Sequence, residues 1–588
     1  MRRFVARLDP RAHTFECSPR AARVGEDEIL WRGYLTNRTA IEAEARRRGE
    51  RLDSGSTDSE LFAAAARYWK HELVRYVEGQ YAVAIRSGDT LVLAHDELGI
   101  FPLFYAETAG GVVAGSHLED LVAETGIGTL DERFIADFLL EQRHFGAHTP
   151  YAHIRQLRAG EAASYQAGQL ATHRVWTIAQ IRPLVAKDPR DYEDGLRAAI
   201  SSAVHSAVPP GRATWCELSG GLDSSTVFAE AARCADRRVE AFSMLYPGSE
   251  AADEQRWIRP VLERYPAPWH TMDANASKPF AVLPQRFCPQ PRIGLVTEGW
   301  RRDYDAMLEA HGVDVVVTGQ GGDALFIGDS PRPFVLADLA RRGDVRGVWK
   351  GLRAWSAASR QKRSPVYLFR EYVVGALERH SRGMFINYEP ADFSWLDRGF
   401  VVASGALERT TRSYVPQVAS VADSAFFELI LRCAEVACNH NAERDAGAEF
   451  RHPLLDRALV TFVASVPWSE KLHPECDRLL QRRAYETILP RDTILRRSKG
   501  RPDGSFYSGL LSSPKTYRLL VDDPQVVARG YVDGDAWRKA ARLASLGKSE
   551  GIRWFLATAA LEIWLSRLAA YAPSPIALEP AWAKKKEP

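Results

Sequence analysis

Two glycine-rich turns are the parts of this 588-residue chain with the clearest potential for chemistry. The first, between an apolar run and a helix-like run, consists of Ser219, Gly220, Gly221, Leu222, Asp223, Ser224 and Ser225. Its glycines let the backbone approach a ligand, and the serine hydroxyls and N–H groups at the helix start can bind phosphate oxygens. The turn lacks the lysine of a P-loop and carries an aspartate, which suits polyphosphate only when a divalent cation lies between them. It therefore predicts a site for pyrophosphate and Mg²⁺.

The second turn follows a predicted strand at residues 313–317 and contains Gly319, Gln320, Gly321, Gly322 and Asp323. A helix-length segment separates the strand predicted at residues 213–218, directly before the first turn, from the one at residues 239–246. These strands are therefore expected to be parallel, with their carboxyl ends at one sheet edge. We therefore predict that Asp223 and Asp323 bind one Mg²⁺ together.

The strand at residues 239–246 supplies two further candidates. Ser243 and Met244 lie at its carboxyl end, where backbone contacts to adenine are expected. The alternative for Met244 is packing in the core.

The composition excludes several classes of protein. Lysine and arginine number 77 and aspartate and glutamate 75, so no charge excess indicates a nucleic-acid or membrane partner. The seven cysteines form no CxxC pair, and no apolar run has the length of a signal peptide core or a membrane span. We expect a cytoplasmic protein with reduced thiols.

The chain divides into two predicted domains and a tail. Residues 1–180 are predicted to be β-rich, with strands at 4–8 and 29–34, a helix at 59–68 and a hairpin formed by 79–86 and 90–94. A linker at 177–190 precedes the second domain, residues 190–572, and residues 573–588 are predicted to be disordered.

Helices of the second domain are predicted at 191–207, 297–311, 334–342, 347–358, 366–378 and 426–439. Aromatic and arginine residues at 349–372 are expected mainly to pack on the sheet, with a minority lining a peptide groove.

The N-terminal domain resembles the glutaminase domain of asparagine synthetases, through the segment DELGIFPLFY at residues 96–105. The resemblance implies an Ntn-type αββα sandwich, in which the nucleophile is a cysteine directly after the initiator methionine. Here position 2 is Arg2 and the first cysteine is Cys17. We therefore expect a retained scaffold that cannot release ammonia from glutamine.

Three segments of the second domain resemble the same superfamily. The first turn is similar to the PP-loop of ATP pyrophosphatases, which split ATP into AMP and pyrophosphate. Residues 489–500 resemble an LPxxIxxRxK segment whose lysine points at the nucleotide, which implies that Lys499 binds ATP and is catalytic; an exposed basic patch is the alternative. Residues 443–460 resemble the VExRxPFLDxxLV signature, which implies Glu449 as a further catalytic candidate. In the alternative interpretation, Asp456 caps a helix and Arg451 pairs with a local acid.

The resemblance covers nearly the whole chain and implies an α/β fold: the sandwich, then an ATP-pyrophosphatase-like parallel domain with helical additions. It also implies an ATP- and Mg²⁺-dependent, AMP-forming carbon–nitrogen ligase. Three reactions are open: asparagine synthesis, β-lactam synthesis and lasso peptide macrolactam closure. Asparagine synthetases carry a glutamate near Gln320, and β-lactam synthetase a tyrosine that works with a glutamate. Gln320 cannot take up a proton, but a peptide α-amine, with a pKa of about 7.7 to 8.0, needs no strong base.

Residues 334–342 also resemble lasso peptide cyclases. We therefore predict a macrolactam synthetase that adenylates an Asp or Glu side chain of a leaderless precursor core peptide and closes it on the N-terminal amine. Gln320 is predicted to contact that amine. The resemblance implies a leader-binding protein and a leader peptidase as partners. The alternatives are a β-lactam-synthetase-like ligase of a small molecule, an ammonia-dependent asparagine synthetase-like enzyme, and a pseudoenzyme without turnover.

Overall fold

A computed structural model describes the chain over residues 3–9, 14–53, 55–140, 147–177, 181–234, 237–249, 252–328, 332–359, 361–387, 394–411, 418–442, 447–497, 499–500, 502–549 and 551–571. The predicted tail at 573–588, Arg2 and residues 443–446 of the signature lie outside these residues. No helix among the described residues is at once long and apolar enough to cross a bilayer.

Among the described residues of the N-terminal part of the chain, eleven strands form two antiparallel sheets. Their bounds are β1 Val5–Asp9, β2 Thr14–Ser18, β3 Ala22–Val24, β4 Asp27–Leu35, β5 Gly79–Ser87, β6 Thr90–His95, β7 Phe104–Thr108, β8 Gly111–Gly115, β9 Arg155–Gln156, β10 Glu161–Gln166 and β11 Gln169–Arg174. The strand orders are β2-β1-β8-β7-β9 and β11-β10-β6-β5-β4-β3. The predicted hairpin is confirmed, because β5 and β6 pair with Ser87 opposite Thr90.

Helices cover the outer face of each of these sheets. They are α1 Arg38–Arg47, α2 Asp58–Trp69, α3 Leu118–Thr125 and α4 Glu132–Leu139, with a 3-10 helix at Lys70–Arg75. The predicted start of α2 is confirmed by a capping box, in which Thr57 and Glu60 satisfy each other's backbone N–H groups. Ala82 and Ala114 pack between the sheets, whereas Val83 packs under α2 and Val113 under α3. The predicted αββα sandwich is therefore confirmed.

A five-stranded parallel sheet forms the centre of the second half of the chain. Its strands are β12 Thr214–Glu217, β13 Val239–Leu245, β14 Trp269–Asp273, β15 Val315–Val317 and β16 Glu449–Arg451, in the order β14-β13-β12-β15-β16. Cys216 of β12 pairs in parallel with Ala241 on one side and Val317 on the other. The strand order reverses beside β12, so the loops after β12 and β15 leave the sheet side by side.

The remaining elements of this half are helical. The helices are α5 Pro189–Ala207, α6 Leu222–Ala232, α7 Gln255–Arg264, α8 Glu298–Ala310, α9 Gly322–Leu325, α10 Val335–Arg341, α11 Val345–Ala358, α12 Pro365–Phe369, α13 Ala376–Ser381, α14 Arg398–Ala403, α15 Ala406–Thr411, α16 Val421–Ala442, α17 Arg457–Ser465, α18 Trp468–Lys471, α19 Leu479–Tyr485, α20 Arg491–Leu495, α21 Asp503–Leu511, α22 Pro514–Val521, α23 Gln525–Ala528, α24 Gly534–Ser545 and α25 Ile552–Tyr571. Further 3-10 helices lie at Ile293–Thr297 and Pro453–Leu455.

Two predicted helices differ from the observed ones. The helix predicted at 366–378 is continuous from α12 to α13 but contains a π-helical segment at Arg370–Gly375. The helix predicted at 426–439 is the longer α16. Its start is fixed by Asp338 of α10, whose carboxylate accepts hydrogen bonds from the backbone N–H groups of Val421 and Ala422. The Ser420 hydroxyl also accepts from the Asp423 N–H, so a local cap and a tertiary contact together set the start of this helix.

Candidate active site

A cavity of about 1100 Å³ lies at the carboxyl end of the parallel sheet and extends to the N-terminal sandwich. Its lining includes the two glycine-rich turns and side chains such as Phe138 and Trp176 of the N-terminal half. Glu435 and Asn439 of α16 also line it. The predicted sheet edge therefore lines a cavity shared by both halves of the chain.

The first turn has the conformation of an anion-binding loop. Gly220 has a φ of +65°, and a Cβ there would lie 2.6 Å from Trp257, so both the turn and its packing require glycine. Gly221 is the N-cap residue of α6. The Ser224 hydroxyl accepts a hydrogen bond from the Ser219 N–H at 3.2 Å and lies 3.0 Å from the Ser219 hydroxyl. These contacts set the backbone at the start of α6, where the exposed N–H groups favour a phosphate.

The second turn packs directly on the first. A Cβ on Gly319 would lie 2.9 Å from the Ser224 backbone, and one on Gly322 would lie 2.4 Å from the Asp223 carboxyl carbon. Glycine at both positions is therefore a condition for the close approach of the two turns. This approach brings Asp223 and Asp323 to one place, as predicted from the parallel topology.

Arg478 joins the two aspartates. Its Nε and Nη2 atoms lie 3.2 and 3.1 Å from the two carboxylate oxygens of Asp223. The same Nη2 atom donates to Asp323, and Nη1 donates to Asp477 at 2.7 Å. Arg478 has a positive φ of 51° at the N-cap of α19, a conformation uncommon for a residue with a Cβ. One buried guanidinium thus holds the carboxylates of both turns.

The pKa directions follow from this arrangement. Burial raises the pKa of Asp223, an effect that Arg478 opposes and the neighbouring Asp323 reinforces. Although burial acts against it, the pKa of Arg478 lies above its ordinary value because of Asp223 and Asp323. Arg482 and Arg478 hold the pKa of Asp477 below its usual range despite burial. The site is thus a set of coupled charges.

Lys499 reaches the same charge cluster from the far end of the chain. Its ammonium lies 2.5 Å from the Asp323 carboxylate, and both side chains are about half-exposed to the cavity. Arg496 fixes the segment that carries it. The Arg496 guanidinium donates to the Ser219 carbonyl at 3.3 Å and to Glu254, which also accepts from the Gly500 N–H. Arg496 therefore ties the Lys499 segment to the first turn.

Most of the predicted site residues face the cavity. Those that line it are Ser219, Gly221, Leu222, Asp223, Ser224, Ser243, Met244, Gly319, Gln320, Gly321, Asp323 and Lys499. Gly220, Ser225 and Gly322 lie behind this surface, where they shape the turns. The Ser243 hydroxyl is engaged in the fold, since it donates to the Leu218 carbonyl and accepts from the Trp269 indole N–H. Contact of Ser243 and Met244 with adenine stays a prediction.

Glu449 does not line the cavity, in contrast to its predicted catalytic role. It is buried in β16, and its carboxylate accepts a hydrogen bond from Arg451 at 2.7 Å. The Arg451 guanidinium in turn lies 4.2 Å from the Tyr34 ring centroid in the N-terminal sandwich. Asp456 caps α17 by accepting from the Leu459 N–H. The alternative interpretation of this segment, a local ion pair and a helix cap, describes the observed contacts.

The peptide groove considered for residues 349–372 is not part of this cavity. Of that aromatic and arginine set, Arg360 lies outside the described residues, and the described members do not line the cavity. Trp349 and Tyr367 are exposed to solvent, while Tyr372 is buried against Phe334. Of these residues, Tyr372 belongs to the small apolar core of α10–α13, against which Trp355 also packs.

The donor set fits a magnesium ion. Two carboxylates on facing turns meet at one guanidinium, and Mg²⁺ in nucleotide sites usually takes one or two carboxylates together with phosphate oxygens and waters. Within the described part of the chain no cluster of three or more His, Cys, Asp or Glu residues forms a metal cage. Asp223 and Asp323 are therefore suited to a cation that also binds a polyphosphate.

Sequence reasoning missed Arg478. It placed Arg496 in the segment at 489–500 only as part of an alternative exposed basic patch, whereas Arg496 is buried. Arg478 lies 155 residues after Asp323 and 255 after Asp223, in a segment that matches none of the motifs used above. The first turn could have pointed to such a residue. Two aspartates beside a turn without a lysine need a positively charged side chain from elsewhere in the chain.

The chain joins an αββα sandwich to a parallel sheet. A lysine-free glycine–serine turn lies at the switch point of that sheet. This combination defines a two-part α/β enzyme. The chain belongs to the asparagine synthase family, whose model matches residues 191–566, and a glutamine amidotransferase domain model matches residues 17–176. Enzymes of this family are ATP-dependent, AMP-forming carbon–nitrogen ligases.

Individual relatives are distant. The carboxyethyl-arginine beta-lactam-synthase of Streptomyces clavuligerus is 28% identical over 211 residues, which is 35% of this chain and 37% of that enzyme. The match thus spans just over a third of that relative. Asparagine synthetase [glutamine-hydrolyzing] 3 of Bacillus subtilis is 22% identical over 506 residues, covering 81% of this chain and 75% of the relative. A solved structure of an allosteric regulatory enzyme of purine biosynthesis aligns with 54% of this chain and 83% of its own at 12% identity; its TM-score of 0.22 is too low to inform the fold.

Proposed function

We propose that the protein is a lasso peptide macrolactam synthetase. It adenylates an Asp or Glu side-chain carboxylate of a leaderless precursor core peptide with ATP, releasing pyrophosphate, and closes that carboxylate on the peptide's N-terminal amine, releasing AMP. The observation that carries the proposal is the cavity of about 1100 Å³, which is lined by both halves of the chain and is slightly larger than the roughly 300–1000 Å³ of most small-ligand pockets. It leaves room for a folded peptide segment beyond the nucleotide turns.

The two turns and Lys499 serve the adenylation step in this proposal. The amides of the first turn bind the β- and γ-phosphates, which leave as pyrophosphate. Asp223 and Asp323 hold the Mg²⁺ that neutralises the phosphate charge. Lys499, already directed at Asp323, stabilises the negative charge that builds on the α-phosphate as the peptide carboxylate attacks.

The amine end of the reaction is assigned to Gln320. Gln320 lines the cavity in the same turn as Asp323, and its amide can hydrogen-bond an amine without accepting its proton. A peptide α-amine is substantially neutral near physiological pH, because its reference pKa is about 7.7 to 8.0. The glutamine thus suits an N-terminal amine better than a nucleophile that needs strong deprotonation.

A second candidate is an ATP-dependent ligase that forms an amide in a small molecule. The observation in its favour is the match to carboxyethyl-arginine beta-lactam-synthase. An ammonia-dependent, asparagine synthetase-like reaction is a variant of this candidate, supported by the longer match to an asparagine synthetase. The leader-binding protein and leader peptidase belong only to the first proposal.

The deciding experiment offers the protein synthetic core peptides with an N-terminal glycine and an internal Asp or Glu, together with ATP and Mg²⁺. We expect the peptide to lose about 18 Da, the mass of one water, with AMP and pyrophosphate as co-products. A matched peptide with an acetylated N-terminus tests the order of steps. It should still support exchange of labelled pyrophosphate into ATP, since its carboxylate is intact, but should not lose water.

Two results would contradict the proposal. Pyrophosphate release with a small amino acid derivative, and none with any peptide, would establish the second candidate. Absence of release with both kinds of substrate, in a protein that binds ATP, would indicate a pseudoenzyme.

A further inference from the structure

The residue after β16, His452, is held on two sides by buried polar groups. On one side is Gln80, in β5 of the N-terminal sandwich, and on the other is Thr318, the first residue of the second turn. His452 is fully buried, and Gln80 and Thr318 are only 1% and 3% exposed. Hydrogen bonds between such buried groups form a rigid connection, because breaking one would leave a polar group without water.

Gln80 pairs with the backbone of His452 through both ends of its amide. Its Nε2 donates to the His452 carbonyl at 2.7 Å, and its Oε1 accepts from the His452 N–H at 3.1 Å. A glutamine amide can satisfy a donor and an acceptor of one residue in this way, whereas an apolar or acidic side chain cannot. Gln80 thereby supplies the two hydrogen bonds that a neighbouring strand would make to the residue after β16, the last strand of the sheet.

The connection continues into the second turn. The Thr318 N–H donates to the Arg451 carbonyl at 3.0 Å, which extends the pairing of β15 with β16. The Thr318 hydroxyl lies 2.8 Å from His452 Nδ1 and accepts from the Gln320 N–H at 3.2 Å. Four residues therefore form one path from the sandwich to the backbone of Gln320.

We propose that Gln80 is a positioning residue for the ligase reaction, which acts through His452 and Thr318 to fix the turn that carries Gln320 and Asp323. This inference rests on the proposed function, in which Gln320 contacts the attacking amine. It gives the sandwich a role that requires no glutaminase chemistry. The sandwich is a structural part of the synthetase site, and Gln80 is the side chain through which it holds His452.

The test compares amide hydrogen exchange in the full-length Gln80→Met variant with that in the wild type. Methionine keeps the length of the side chain and removes both hydrogen bonds to His452. We expect exchange in the segment 318–326 to become at least about tenfold faster, because local opening of the turn costs less without the path. Arg457→Lys is the matched control. Arg457 also joins the two halves, by donating to the Val74 and Arg75 carbonyls, but it does not touch His452.

Faster exchange at 318–326 in Gln80→Met but not in Arg457→Lys supports the proposal. Unchanged exchange in Gln80→Met, or an equal increase in both variants, overturns it. Should Gln80→Met not fold, Thr318→Val removes the hydroxyl bonds while leaving Gln80 in place. It should raise exchange over the same segment, and an unchanged rate would overturn the proposal equally.

A kinetic measurement separates positioning from general destabilisation. In Gln80→Met we expect kcat for peptide cyclisation to fall about tenfold with a smaller rise in KM for ATP, because the path ends at the backbone of Gln320, whereas the first turn, which binds the β- and γ-phosphates, is not part of it. Combining Gln80→Met with Thr318→Val should add little to either single loss, as both interrupt one path. If no peptide is cyclised by the wild type, the proposed function fails, whereas the exchange result still decides the role of Gln80.

Discussion

At the scale of single residues, Arg478 explains how two aspartates can face each other before a substrate binds. Its guanidinium donates to both carboxylates and its side chain is only 7% exposed. A buried carboxylate without a partner is costly, and a second carboxylate beside it adds repulsion. The arginine thus keeps Asp223 and Asp323 in place for a cation that arrives with the nucleotide.

Replacing Arg478 by methionine should leave the repulsion between the Asp223 and Asp323 carboxylates without the guanidinium that offsets it. Removing one partner of a buried ion pair typically costs about 3–5 kcal/mol, and the half-exposed Asp323 reduces that figure here. We expect a lower melting temperature that rises with added MgCl₂ more steeply than in the wild type, because a ligand that binds only the folded state stabilises it. Thermal melts in MgCl₂, and in NaCl of equal ionic strength, measure the difference. An equal rise in melting temperature in both salts would contradict a magnesium site shared by Asp223 and Asp323.

Lys499→Ala should abolish turnover while leaving the fold intact. The ammonium contacts Asp323 from a half-exposed position, so its loss costs little stability. Loss of one group that stabilises charge in the transition state typically lowers kcat on the order of 10²- to 10³-fold. Pyrophosphate release is the measurement, and the exposed Lys515→Ala is the matched control. Near-normal release by Lys499→Ala would contradict this role of Lys499. Another cation of the site, such as Arg478, would then stabilise the charge.

At the scale of elements, the site depends on how closely two turns approach. Gly319→Ala places a Cβ 2.9 Å from the backbone of Ser224, and neither backbone can yield without moving a strand end. We expect at least about a tenfold loss of kcat from a displacement of under 1 Å. Gly504→Ala, where a Cβ meets nothing within 4 Å, is the control. Full activity in Gly319→Ala would mean that the two turns need not touch.

The C-terminal helix α25 carries a buried acid that makes stability depend on pH. Burial raises the pKa of Glu562 from 4.5 to about 7, and its carboxyl accepts the Val526 N–H at 2.9 Å. Because the folded-state pKa is the higher one, the group's favourable contribution is complete below pH 4.5 and is lost as pH rises to about 7.

Glu562→Gln should remove that part of the pH dependence. Between pH 4.5 and 7 the wild type should lose up to about 3 kcal/mol of unfolding free energy relative to the variant, since each pKa unit is worth about 1.4 kcal/mol. Denaturant melts at several pH values measure the difference, with the exposed Asp535→Asn as control. A constant offset between the wild type and Glu562→Gln across this range would contradict the assignment.

The same elements show what the sequence can predict. Strand ends in a parallel sheet share one edge, so the meeting of Asp223 and Asp323 followed from topology alone. Arg478 and Gln80 could not be found in this way, because their partners lie hundreds of residues away and only the assembled fold selects them. Glu449 shows the converse limit. A motif position gave it a catalytic role, but its neighbour Arg451 and the overlying sandwich bury it.

At the scale of the whole molecule, the two halves of the chain share their cores. One contiguous apolar cluster contains Leu30 and Ala82 of the sandwich together with Ile200 and Val227 beside the parallel sheet. A second joins Leu121 and Phe134 to Trp537 and Leu561 of the C-terminal helices. Interfaces of this kind resemble a domain core cut in two, in which separation exposes apolar surface to water.

A fragment of residues 190–588 should therefore not fold as an independent ligase. Without the sandwich it would expose the shared apolar clusters and leave the Arg457 and His452 contacts without partners. We expect aggregation and no cooperative melt, whereas the full chain should unfold in a single transition by both circular dichroism and tryptophan fluorescence. Co-expression with residues 1–189 is the control, because the two pieces together restore every contact except one peptide bond. A monomeric fragment that melts cooperatively and exchanges pyrophosphate into ATP would show that the sandwich is dispensable for the ligase half.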